Sequence, residues 1–264
     1  MSRNLLHYLY MNKNTVLGVG ALLIILAIVV VSATTKPLPA KAPGESASSM
    51  TLPASGYVEH ADYYDIATNY ASSTPLQGEK NVAAIALMQK FVSDTIAQFK
   101  TDGNFANLTA EDIKTMGFDQ GRKETLQIAY LIASSPRTVS YIFTTYEDTG
   151  GAHGNTFFHT FTFDTTTGAS LALADIFIPS ANYLSDLSQI SRAKLPGVIG
   201  AGADTTFITS GTTLDEKNFQ NFFFDNKEFV ILFDPYAVAP YSSGPQTLRI
   251  PLSELANILK PEYR

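Results

Sequence analysis

Cysteine and tryptophan are absent from this chain of 264 residues, and it holds only four histidines and 16% charged residues. Without cysteine there is no disulfide, no thiolate metal site and no cysteine nucleophile, in whatever compartment the chain works. Lys and Arg number 18 against 24 Asp and Glu, a net charge of −6, and no basic run exceeds two residues. Nucleic-acid affinity comes largely from Lys and Arg displacing phosphate counterions, so nucleic-acid binding is not expected. What is present is apolar: 45% hydrophobic residues, with 17 Phe and 13 Tyr. That richness excludes a mainly disordered chain and supplies a sizeable core for one or two domains.

Charge is missing altogether over residues 15–33, TVLGVGALLIILAIVVVSA. As a helix rising about 1.5 Å per residue, this run spans about 28 Å, close to the hydrocarbon core of a bilayer, and predicts one transmembrane helix. Residues 1–14 carry Arg3, Lys13 and no acid, which predicts a short cytoplasmic tail and an extracytoplasmic bulk. Residues 34–264 then hold 16 basic and 24 acidic side chains, a net −8. Val31-Ser32-Ala33 has the small-residue spacing of a signal-peptidase site, so cleavage after Ala33 would secrete the domain. The run is long for a signal peptide, and a retained signal anchor is preferred. Residues 34–49, of which seven are Pro, Gly or Ser, read as a flexible linker.

A folded unit is expected from residue 50. Ile85, Met88, Val92, Ile96 and Phe99 share one face of a helix that Asp102-Gly103 should stop. Thr109 and Asp112 form a capping box for a shorter helix ended by Gly117. The period then changes to two: Leu126 to Ile132 and Val139 to Phe143 read as a hairpin, and Thr156 to Asp164 continues the strands before a turn at Thr165–Gly168. Ser180 can cap a helix bearing Leu184, Leu187, Ile190 and Leu195, closed by Pro196-Gly197, with a small-residue loop over residues 196–204. Phe219 to Phe224 and Glu228 to Asp234 form a second hairpin around Asp225-Asn226-Lys227, and a short helix over Ser253–Lys260 ends the chain. The prediction is an α+β fold, with helices packed on a mostly antiparallel sheet. It has two halves of helix plus hairpins, residues 50–135 and 136–264, preceded by the transmembrane helix.

No catalytic constellation stands out. There is no G-x-S-x-G elbow, and Ser242-Ser243-Gly244 lies in a Pro-rich loop. A zinc site needs three protein ligands, but only His60, His153 and His159 follow the span and no H-E-x-x-H occurs. His153 and His159 read as a turn histidine and a strand histidine. Gly18-Val19-Gly20 and Gly200-Ala201-Gly202 lack the rest of a phosphate-binding loop. No cofactor and no metal are expected. Paired-carboxylate chemistry stays open, because two acids need not be near in sequence to meet in a fold.

Two segments call for more than packing. Tyr146 to Asn155, YEDTGGAHGN, is a hinge whose Gly150, Gly151 and Gly154 imply positive φ or close chain approach. His153 and Asn155 are its candidate binding residues. Asp234 to Pro245, DPYAVAPYSSGP, is a loop stiffened by Pro235, Pro240 and Pro245, with Gly244 as a turn, displaying Tyr236 and Tyr241. Tyr on a stiff loop offers contact area at low entropy cost.

These two segments, with FTFDTTTGASLALADIF (161–177) and FDPYAVAPYSSGPQTLRIPLSEL (233–255), resemble the ectodomain shared by RsiV-type anti-sigma factors and the N-terminal, non-catalytic part of PdaC-type peptidoglycan deacetylases. The resemblance runs from Tyr57 to Leu255. It implies a membrane-anchored envelope module, with lysozyme among the partners of the RsiV type and peptidoglycan as the substrate of the PdaC type. Fourteen residues before the span are too few for a sigma-binding domain, and no deacetylase domain is expected here. Thr162-Phe163-Asp164 looks like the opening of the deacetylase T-F-D-D motif, but Thr165 replaces the second Asp and no H-x-x-x-H follows, so it reads as a strand end.

The expectation is therefore a binding module facing the cell envelope, without its own catalytic domain. Its ligand would be lysozyme, another cationic wall-directed protein, or peptidoglycan. The rival is an envelope polysaccharide hydrolase or deacetylase whose acids converge only in the fold.

Overall fold

A computed structural model of the chain describes residues 56–264; the predicted tail, span and linker lie outside the described residues. Among the described residues, no helix is long and apolar enough to cross a membrane.

Strands β1 (Gly56–His60), β2 (Tyr64–Asn69), β3 (Glu124–Ser134), β4 (Thr138–Asp148) and β5 (Asn155–Asp164) form one sheet in that order. All its pairings are antiparallel except β2 with β3. Helix α1 (Glu79–Gly103) is the crossover between those two parallel strands and buries Met88, Val92, Ile96 and Phe99 against Leu126, Ile128, Tyr141 and Phe143. It ends at Gly103, where the stop is expected, with Asn104 in the left-handed region (φ 47°) as its cap. Glu59 accepts hydrogen bonds from Tyr57, Tyr64 and Lys100, which ties β1 and β2 to α1. Helix α2 (Ala110–Thr115) carries the Thr109–Asp112 capping box.

The second sheet, β6 (Phe222–Asp225), β7 (Glu228–Phe233) and β8 (Gln246–Pro251), is wholly antiparallel. Helices α3 (Tyr183–Ile199), α4 (Thr205–Ser210) and α5 (Leu252–Leu255) belong with it, and its core holds Leu187, Leu195, Phe222, Phe229, Ile231 and Leu255. Between the sheets, Ile142 packs with Phe223, Val230 and Leu232, and Phe158 sits against this group. Thr160 and Thr162 of β5 donate through their hydroxyls to the Gln220 and Phe222 carbonyls. The layers thus run α1, five strands, three strands, α3. Strands covered on both faces lose their alternation: Thr138 to Phe143 of β4 and Phe229 to Phe233 of β7 are buried without a break.

The α+β class and the mostly antiparallel pairing are as expected. The division at 135/136 falls in the turn between β3 and β4, two strands of one sheet. Three local expectations are corrected. Pro196 does not close α3, which runs on to Ile199 with Gly200 (φ 71°) as its cap. A proline in the last turn removes one hydrogen bond while tertiary packing of Leu187 and Leu195 holds the helix. Helix α3 also starts after Asn182, with no capping bond from Ser180. The C-terminal helix is one turn, after which Ile258 N–H bonds back to Leu255 and Lys260 N–H to Ile176.

Candidate functional site

The hinge and the tyrosine loop meet. His153 lies flat on Tyr241, ring centroids 3.6 Å apart and planes 15° apart, and Tyr236 stands 5.4 Å from Tyr241 and 6.5 Å from His153. The buried carbonyl of Gly154 accepts two hydrogen bonds, from the Tyr241 hydroxyl at 2.7 Å and from His153 Nδ1 at 3.1 Å. A carbonyl can only accept, so Nδ1 carries a proton, and Nε2 faces the Tyr236 hydroxyl at 3.5 Å. The three rings form an aromatic shelf, and Tyr236 is 53% exposed.

Local sequence sets this geometry. A Cβ on Gly154 would run into the Tyr146 hydroxyl, so only glycine lets the hinge pass under that ring. Gly150 (φ 85°) leaves the space that the Arg122 guanidinium fills. On the other side, Asp234 accepts from Phe158 N–H of β5 at 2.8 Å, which anchors the start of the loop to the first sheet. Burial pushes the Asp234 carboxyl up, with that hydrogen bond opposing. Tyr236 follows Pro235 with φ 69°, a left-handed conformation that a bulky side chain adopts at a cost of about 1–2 kcal/mol. Pro240 leads into a 3-10 turn over Tyr241–Ser243, Gly244 (φ 66°) ends it, and the Gln246 amide closes the loop onto the Ser243 and Gly244 carbonyls. Pro245 is exposed beside that closure, and Gly151 meets no comparable constraint.

Of the four candidate binding residues, His153, Tyr236 and Tyr241 come together. Asn155 does not join them: it opens β5, exposed, opposite Glu147 in the β4–β5 register, and makes no side-chain hydrogen bond among the described residues. His159 is on the face of β5 that meets α1, stacked on Phe91 at 4.5 Å, and burial holds its imidazole below the usual histidine range. Asp164, the end of the T-F-D triplet, is bound by Arg137 at 2.7 Å, by the Tyr263 hydroxyl at 3.0 Å and by the Thr166 and Thr167 amides. These donors overcome burial and hold its pKa down to about 2. It is a strand-end staple.

A second feature escaped the sequence. On the α1 side of the same hairpin, a cavity of 540 Å³ is lined by Asp102, Asp112, Glu124 and Glu147, with Phe99, Leu108 and Met116 as apolar wall. Glu147 pairs with Leu126 across the β3–β4 register, so it shares a face with Glu124 two residues along β3. Burial first, then Asp148, pushes the Glu124 carboxyl up against the pull of Arg122. Burial and Asp102 push Glu147 the same way. The β3–β4 hairpin puts Glu147 beside Glu124, and the β2–α1–β3 crossover brings the end of α1, with Asp102, to the same space. Among the described residues, no group of three or more His, Asp and Glu is placed to hold a metal ion.

Residues 174–253, from the 3-10 turn ahead of α3 to the start of α5, match the family described as protein of unknown function DUF3298. The same chain is 31% identical over 199 residues to the peptidoglycan-N-acetylmuramic acid deacetylase PdaC of Bacillus subtilis, a match covering 74% of this chain and 40% of that protein. The chain carries a PdaC-like DUF3298 domain. An esterase of Mycobacterium tuberculosis is 25% identical over 118 residues, 45% of this chain and 51% of the esterase, so the chain spans about half or less of the curated relatives it matches. A crystal structure of a DUF3298 member from Bacteroides fragilis shares the fold, with a TM-score of 0.57, 19% identity, and 78% of this chain and 92% of that one covered. The DUF3298 match takes in Tyr236 and Tyr241 but not His153; the shelf joins the two sheets of the PdaC-like domain.

Proposed function

We propose that the PdaC-like DUF3298 domain is a recognition module of the cell envelope, tethered outside the membrane by the apolar run 15–33. It binds a wall-directed protein of the lysozyme kind, or peptidoglycan itself, through the shelf of His153, Tyr236 and Tyr241. The observation that carries this is Tyr236, an exposed aromatic held at positive φ beside two stacked rings. A conformation that costs free energy at an exposed site is retained where contact is made. The relationship to a peptidoglycan deacetylase supports an envelope setting, and the net −8 of residues 34–264 favours encounter with a cationic partner.

Hydrolysis by paired carboxylates is the second reading, favoured by the four acids that meet in one cavity. That chemistry calls for two acids driven apart, one held protonated and one ionised. Here Glu124 and Glu147 are both driven up, and Asp112, which is held down, is already occupied as the capping partner of Thr109. The binding reading is therefore preferred.

The test is co-sedimentation of the full chain, in detergent micelles, with insoluble peptidoglycan, and pull-down with lysozyme. Binding to at least one, lost in Tyr236→Ala and Tyr241→Ala, is expected. No binding to either at about 10 μM, a level that captures complexes worth about 7 kcal/mol, would sink the proposal.

A further inference from the structure

The acids between α1 and the first sheet are left without a task by the aromatic shelf, which faces the opposite side of the hairpin. Glu124 is 2% exposed and lines the cavity, and among the described residues no hydrogen bond or ion pair reaches its carboxylate. Glu147 lines the same space, likewise unpaired. Lys123, the adjacent cation in sequence, is paired with Asp65 at 3.2 Å, and Arg122, whose charge acts on Glu124 from a distance, donates its Nη1 to the Met116 carbonyl at 2.8 Å and forms no ion pair with Glu124. No Lys, Arg or His lines the cavity. The C-terminal end of the 25-residue helix α1, at Asp102, Gly103 and Asn104, opens onto it and adds the negative end of the helix dipole. A carboxylate on a buried residue without a direct partner is costly, and such groups are ordinarily paired, so a cation entering this cavity would relieve both acids.

The size and lining say which cation. A volume of 540 Å³ is that of a small-molecule pocket, and Phe99, Leu108 and Met116 supply wall for a carbon skeleton. Among the described residues the acids are not gathered closely enough to ligate a metal ion. We propose that this cavity binds an organic primary ammonium of about monosaccharide size, its NH₃⁺ donating to Glu124 and Glu147 and its skeleton lying against Phe99 and Met116. An ammonium has three donors and two carboxylates stand ready to accept them. The site is separate from the shelf and does not depend on what the shelf binds.

Titration calorimetry of the full chain in micelles, with glucosamine and with N-acetylglucosamine as probes, tests this directly, since the two share a ring and differ in whether the nitrogen is an ammonium or an amide. Glucosamine is expected to bind, with N-acetylglucosamine at least about tenfold weaker, the factor that a lost charged hydrogen bond of this kind produces. Glu124→Gln and Glu147→Gln are each expected to weaken glucosamine by about tenfold or more, while Tyr241→Ala leaves it unchanged. Should Glu124→Gln fail to fold, Glu147→Gln at its half-buried position decides. Equal binding of the two sugars, no glucosamine heat at about 10 mM, or parental affinity in the folded variants would overturn the proposal.

Discussion

Tyr146 and Glu147 are adjacent in β4, and they look onto two different surfaces. Tyr146 backs the hinge glycine beneath the aromatic shelf, whereas Glu147 turns through the sheet to the acidic cavity. The shelf is closed in its polar bonding: one carbonyl takes two donors and the rings cover each other. The cavity is open in its bonding, with two carboxylates that burial penalises and no direct partner relieves, the pull of Arg122 on Glu124 being too weak to offset burial. A strand's period of two thus puts a finished surface and an unfinished one on either side of a single hairpin. The finished one is suited to rigid contact with a macromolecule, the unfinished one to a small ligand that supplies the missing charge.

The comparison breaks most completely if the shared scaffold is removed. Asp164→Ala strips Arg137 and Tyr263 of their partner at a site 1% exposed, and a loss of about 3–5 kcal/mol is expected, read by chemical denaturation. Both surfaces should fail together. Tyr241→Ala should separate them: the stack and the bond to Gly154 go, wall binding falls by about tenfold to a hundredfold, and stability falls by about 1 kcal/mol. Glu124→Gln should act in the other direction, leaving wall binding intact and raising stability by up to about 1 kcal/mol, because it removes an unpaired buried charge. A fall in stability on that change would mean that Glu124 has a partner in the folded chain.

The smallest effect is in the pH profile. Glu124 and Glu147 have raised folded pKa values, so they bind protons more readily folded than unfolded, and their cost should lift as pH falls through the region just above 4.5. Asp164 works oppositely: with its folded pKa held down to about 2 against 3.8, its stabilisation of roughly 2 kcal/mol is present above pH 4 and is lost as pH falls from about 4 towards 2. Thermal unfolding should therefore show Tm rising slightly towards pH 4.5 and then dropping. In Glu124→Gln the rise should shrink while the drop remains.

How far the sequence reached depended on the range of the interaction. The α1 face of Met88, Val92, Ile96 and Phe99, the Thr109–Asp112 capping box and the β3–β4 and β6–β7 hairpins are local patterns, and all of them formed. Strand β8, over Gln246–Pro251, was missed because it follows a loop dense in proline and owes its place to β7. Pro196 misled because a local breaker was outweighed by the buried leucines on either side.

The two loops could be singled out from sequence because Gly150, Gly154 and Tyr236–Tyr241 are dense, unusual local signals. Their meeting could not, since His153 and Tyr241 are 88 positions apart and are joined only when the second sheet packs on β5. The acidic cavity left no local signal at all, for its four acids come from α1, α2, β3 and β4. Sequence alone determined the locally patterned elements, such as α1, α2 and the two hairpins, because periodicity, caps and turns act within a few residues. Tertiary structure alone decided which loops share a surface and which carboxylates share a cavity, because both depend on how the sheets and α1 stack.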